Sequence, residues 1–204
     1  MTEADVVSLA LSHLGEPGIE NLETDNTVRA IKVRRQYEHS RDALMRGHPW
    51  NFAVTRAALT EAAEAPDFGP EYAYDLPEDC LRILTLNGIE AETGQSFYTI
   101  ESGKLLTDAD EALVTYIRKV TDPTEWDANF VEAFALKLAS DIALDITQST
   151  EKAGLCLAKF QNVALPEAQL TNTQEDDAKV ISPLSTSRTI GIRRGGASFL
   201  DRDW

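Results

Sequence analysis

The chain is short of the residues on which most catalytic and metal chemistry depends. It holds three histidines (His13, His39, His48) in 204 residues, and they lie in helical or turn contexts without metal-ligand spacing. His48, beside Pro49, reads as a turn or capping residue rather than a base. The two cysteines, Cys80 and Cys156, are far apart in apolar contexts. They read as buried free thiols of a reduced compartment, with a disulfide the less favoured alternative. There is no phosphate-binding loop, no glycine-rich strand-to-helix turn and no Gly-x-Ser-x-Gly elbow. Glu78-Asp79 and Asp176-Asp177 are adjacent carboxylates whose side chains diverge on a strand, so neither makes a glycosidase pair without distant partners. We expect no catalytic residues, no metal, no cofactor and no enzyme; a carboxylate site assembled by folding is the one remaining route to catalysis. No apolar run approaches the ~20 residues that span a bilayer. The acidic start, Met1 to Asp5, lacks a signal-peptide core, so no membrane partner is expected.

Basic residues are scarce as well. Lys and Arg number 19 against 34 Asp and Glu, a net charge of −15. That argues against a free-standing nucleic-acid binder, because affinity for phosphates comes mainly from Lys and Arg. The charge serves either simple solubility or a surface that must not stick to DNA, such as a channel wall. The few cations are unevenly placed. Residues 178–204 hold Lys179, Arg188, Arg193, Arg194 and Arg202 against Asp201 and Asp203, a net of +3, which leaves −18 on residues 1–177.

What the chain does have is enough apolar content, 43%, for one domain with a real core. The fold class reads as α+β: a mostly helical bundle of about four helices, an inserted small antiparallel β region, and an extended C-terminal arm. Helices are predicted over 3–14, 25–46, 127–148 and 150–170. Thr2 and Asp5 make a capping-box-like start to the first, and Thr24, Asp25 and Asn26 offer caps for the second. In the third, Phe130, Phe134, Leu138, Ile142 and Ile146 repeat every fourth residue, as in a central bundle helix. Pro166 is expected to kink or break the fourth. Between them, over 50–120, short β-like runs alternate with turn signals, among them Asn87-Gly88, a favoured type I′ hairpin pair. On the second helix Lys32, Arg35, His39 and Arg46 form a basic stripe: either a solvated face or a contact between subunits. The folded domain is thus 1–170, and 171–204 is an extended arm. Its basic residues alternate with Ile181, Leu184, Phe199, Leu200 and Trp204, the pattern of a segment that orders on a partner.

The centre of this organisation is Arg46-Gly47-His48-Pro49-Trp50-Asn51-Phe52-Ala53. Gly47 is the expected left-handed C-cap and Pro49 forbids helix continuation. Trp50 and Phe52, alternating with Asn51, predict a strand that anchors two layers. Preceded by Tyr37 and Arg41, and followed by Arg56-Ala57 and by Tyr72-Ala73-Tyr74-Asp75-Leu76-Pro77-Glu78-Asp79-Cys80-Leu81-Arg82-Ile83-Leu84, this stretch resembles the tail tubular protein A family. These are the head-to-tail adaptors, or connectors, of short-tailed bacteriophages. The resemblance spans roughly the first 160 residues, and the tail matches only in character.

The resemblance implies a structural virion protein, made in the host cytoplasm and located at the head-tail junction. It implies a dodecameric ring that binds the portal on one side and the tail nozzle, similar to tail tubular protein B, on the other. DNA would pass through the lumen during ejection without specific binding. The portal-binding arm would use Arg188, Arg193, Arg194, Phe199, Leu200, Arg202 and Trp204. Lys32, Arg35, His39 and Arg46 would serve the subunit interface, with Trp50 and Phe52 as structural anchor. Two rivals stand beside this reading: a monomeric or dimeric acidic interaction protein (a chaperone or DNA mimic), and a virion-associated cell-wall hydrolase. Neither explains the Trp50 and Leu76–Leu84 blocks.

Overall fold

The computed structural model describes residues 1–64, 66, 68–90 and 97–177. Its architecture is α+β, with a helical layer and two small antiparallel sheets. The helices are α1 (Glu3–His13), α2 (Val28–Gly47), α3 (Ala128–Thr147), α4 (Thr150–Lys159) and α5 (Leu165–Asp177). The capping box of α1 forms as expected: the Thr2 hydroxyl accepts from the Asp5 amide and the Asp5 carboxylate accepts from the Thr2 amide. α2 starts later than its first candidate caps. The Asn21 side chain accepts the amides of Glu23 and Thr24, and Asp25 accepts that of Thr27, so this stretch closes turns on itself. Thr27 is the cap, accepting from the Ala30 amide.

α4 and α5 are one continuous helix joined by a π-helical segment, Phe160–Ala164. The helix therefore runs past Leu170 to Asp177, and Pro166 neither breaks nor ends it. The sequence shows why the wider turn is there. The buried residues Cys156, Phe160, Ala164, Ala168 and Asn172 recur at strict four-residue intervals. At 3.6 residues per turn each step would rotate the stripe by about 40°, so it would wind well off the core over sixteen residues. The π segment absorbs much of this drift, and the Leu165 amide reaches back to the Phe160 carbonyl. Proline, which lacks an amide hydrogen, sits just beyond that irregular turn.

The β region forms two four-stranded sheets rather than one. They contain β1 (Val54–Ala58), β2 (Thr60–Glu61), β3 (Tyr72–Asp75), β4 (Cys80–Leu86), β5 (Ile89–Glu90), β6 (Tyr98–Glu101), β7 (Lys104–Thr107) and β8 (Leu113–Arg118). The spatial orders are β1-β8-β4-β5 and β2-β3-β7-β6. Asn87-Gly88 (φ 50° and 79°) closes the β4–β5 hairpin, and Ser102-Gly103 (φ 50° and 77°) closes β6–β7. Both pairs have the two positive φ values of a type I′ turn. The larger core lies among the helices and takes in Trp50, Ala53, Ile117 and Val120 from the edge of the β region. A smaller core of Tyr74, Ile83, Leu86, Leu105, Ala112, Val114 and Tyr116 holds the sheets together.

Candidate functional site

The joint between the layers is built on Trp50, but not as a strand. Residues 51–53 form a turn and β1 begins only at Val54. The Trp50 carbonyl accepts the amides of Ala53 and Val54, so Trp50 and Phe52 turn toward the same aromatic cluster instead of alternating. Trp50 is 1% exposed, meets Phe130 edge-on at 5.0 Å and lies 6.4 Å from Phe52 in a stacked arrangement. Its indole nitrogen donates to the Leu44 carbonyl at 3.2 Å, which satisfies its one buried polar atom. Trp126 extends the cluster onto Phe130 and Phe134. Gly47 is the last helical residue and not a left-handed cap; the cap is His48, with φ −145° and ψ 144°. Pro49 forces its predecessor to be extended, and that alone ends the helix.

A clamp that the sequence did not suggest fixes this turn to the end of α5. The Asn172 side-chain oxygen accepts the Asn51 amide at 2.8 Å, and its nitrogen donates to the Pro49 carbonyl at 3.2 Å. That nitrogen also lies 3.3 Å from His48 Nε2. In return Asn51 Nδ2 donates to the Asn172 carbonyl at 3.0 Å and to Glu175 at 3.3 Å. The available signal was a polar residue on the four-residue buried stripe, where an apolar one is the rule. The clamp fixes the last turns of α5 against the Trp50 turn.

The basic stripe divides. The Lys32 ammonium donates to the Asp145 carbonyl near the end of α3, and Arg46 donates to the Leu81 carbonyl at 2.8 Å. These two staple α2 to its own neighbours, while Arg35 and His39 are exposed. Another cation on α2 is internal: Arg41 is 2% exposed, bonds Asp42 at 2.8 Å and lies over the Tyr37 ring at 6.0 Å. Asp42 also holds Lys119 at 3.0 Å, so one carboxylate ties α2 to the segment after β8. The Tyr37 hydroxyl and Arg41 Nη2 are buried without a hydrogen bond among the described residues. The arm residues Arg188, Arg193, Arg194, Phe199, Leu200, Arg202 and Trp204 lie outside the described residues.

Several titratable side chains are spent on structure. Asp79 accepts the Tyr116 hydroxyl at 3.1 Å. Asp141 accepts from Ser40 at 2.6 Å and pairs with Lys137, making a polar seam between α2 and α3. Burial, helped by Asp79, pushes the Cys80 thiol up to about 11, and burial raises Cys156 too. Both stay protonated at neutral pH and are poor nucleophiles. Both are free cysteines. Among the described residues no three His, Cys, Asp or Glu side chains gather at metal-binding distance, and no helix is long and apolar enough to cross a membrane.

The surface instead offers apolar side chains. Leu155, Leu157, Val163 and Leu170 are exposed along α4, the π segment and α5, with Leu144 at the end of α3. On the β region Ile89, Phe97, Ile100 and Leu113 are exposed as well. Scattered exposed leucines are ordinary, but series on both layers are the raw material of protein contacts. A scan against protein-family models finds no match to this chain, and a search of curated proteins returns none.

Proposed function

We propose that the chain is the repeating subunit of a head-to-tail adaptor ring in a short-tailed bacteriophage. Copies meet side to side between the portal and the tail nozzle, and DNA passes through the middle. The observation that carries this reading is the pair of uncovered apolar series, one on the α4–α5 helix and one on the sheets. A ring subunit contacts its neighbours through two different surfaces, and rotation closes the circle. Exposed Arg35 on α2, with exposed His39 one turn on, adds a cation and a polar ring that suit an acidic neighbour. The resemblance in the Tyr37–Ala57 and Tyr72–Leu84 blocks supplies the ring's identity and its number of twelve. Twelve copies at −15 each carry −180 formal charges, which would keep phosphates from adhering as DNA slides.

In this reading the distal arm, Arg188 to Trp204, docks the portal. Its arginines meet acidic groups while Phe199 and Trp204 fill apolar pockets. The test is the solution mass of the full chain, alone and mixed with its portal ring. A complex that gains about twelve copies is the expected result. A monomer that ignores the portal refutes the proposal.

A further inference from the structure

The first sheet has an open side, and the described chain ends beside it. β1 pairs only with β8 among the described residues. Arg118 donates to the Ala53 carbonyl and Leu59 donates to the Ala112 carbonyl. By the alternation of an antiparallel ladder, the odd-numbered residues of β1 face β8. The amides of Arg56 and Ala58 and the carbonyls of Val54, Arg56 and Ala58 therefore point to the other edge. An edge of this kind is a template for another strand unless something blocks it. β1 carries no proline and only one charge, Arg56.

Two open clefts run along this strand and reach across the sheet toward β4, of about 930 and 800 Å³, and Arg56 lines both. The first is bordered by Asn51 and Glu175, so it opens where the Asn172 clamp delivers the chain end. The second leads on to Leu113 and Gly88.

We propose that the segment Lys179-Val180-Ile181-Ser182 of the same chain adds to the free edge of β1 as a further strand. Two adjacent β-branched residues favour the extended form, and Pro183 limits the pairing to a short stretch. Beside β1, Val180 and Ile181 would have Val54 as an apolar neighbour, and Lys179 would lie near Glu175, which lines the cleft at that end of the strand. The net +3 of residues 178–204 complements the −18 of the body. The tether decides between this chain's own segment and a second copy's. Val180 lies three residues beyond Asp177, a span of about 10 Å when extended. So short a tether gives the intramolecular segment an effective concentration on the order of millimolar. This inference does not rest on the adaptor reading, since it leaves the residues from Arg188 onward free for any partner.

Hydrogen exchange of the full-length chain, compared with V180D/I181D, tests it. The Arg56 and Ala58 amides should exchange at least about tenfold faster in the variant, with β4 and β8 amides unchanged. Equal exchange at Arg56 and Ala58 in both proteins overturns the proposal. A second readout identifies the occupant. In A58C/S182C under mild oxidation, a disulfide within one chain, identified by peptide mass at dilute and concentrated protein alike, is expected. A disulfide between chains assigns the edge to a second copy and overturns the proposal, as does the absence of any disulfide between these positions.

Discussion

Replacing Asn172 by alanine isolates the clamp between α5 and the Trp50 turn. The substitution removes the acceptor of the Asn51 amide and the donor to the Pro49 carbonyl, and its loss also ends the contact with His48. Each neutral hydrogen bond contributes about 1 kcal/mol, and a buried donor left without a partner costs about 1–3 kcal/mol. Asn172 is 9% exposed and Asn51 is half-buried, so water re-solvates part of what is lost. We expect a loss of about 2 kcal/mol, or a melting temperature lower by about 4–8 °C for a chain of this size. The assay is urea unfolding at constant m-value, paired with hydrogen exchange of α5. The exchange data matter because the clamp acts at one end of one helix. Amides beyond Ala168 should lose protection by more than those of α3. A loss below about 0.3 kcal/mol with α5 exchange unchanged would refute the idea that the clamp holds the chain end.

Four further outcomes follow from the same packing. Trp50→Ala should cost about 3–5 kcal/mol in denaturant unfolding, as for other buried aromatic truncations; a cost under about 1 kcal/mol would remove Trp50 as the anchor. Arg41→Met should be nearly neutral, because Asp42 keeps Lys119 and a buried guanidinium nitrogen without a partner is gone. Asp42→Ala should cost about 3–5 kcal/mol by leaving Arg41 unpaired, and equal costs for the two would contradict this account. Asp5, Asp25 and Asp122 accept local amides that hold their carboxyls below the usual range. A lowered folded pKa contributes stability that is present above the unfolded value near 3.8 and is lost as pH falls through the folded value, so melting temperature should drop below about pH 4. Leu155→Glu combined with Val163→Glu should leave the monomer's melting temperature nearly unchanged and abolish ring assembly with the portal; intact assembly would take α4 out of the subunit contact.

Much of this architecture is legible in the amino acids. Periodic apolar positions gave α1 and α3 nearly to the residue, and Asn87-Gly88 gave its hairpin, because these signals are local. The failures share a cause. Trp50 and Phe52 alternate with a polar residue, yet the two backbone bonds to the Trp50 carbonyl override a two-residue pattern. Gly47 looked like a left-handed cap, but Pro49 had already done the work of ending α2. Pro166 was expected to kink or break the fourth helix, but the helix runs on through it, past a π turn that the four-residue stripe requires. The second sheet was hidden because β3 and β7 become partners only through contacts some thirty residues apart in sequence. The basic stripe was visible as a pattern, while its division into internal staples and exposed residues depends on where α3 and β4 come to rest.

The β region departs from the helical layer and returns to it at neighbouring points. Val54 pairs with Ile117, and the Arg118 amide meets the Ala53 carbonyl at 2.8 Å. A loop of two residues would bridge that gap, so everything from Val54 to Ile117 behaves as a cassette plugged into one socket. Such a layout lets a lineage lengthen or trim the outer part of the cassette, and with it the surface shown to partners, while the residues that reach into the bundle, Ile117 and Leu81 among them, stay in place.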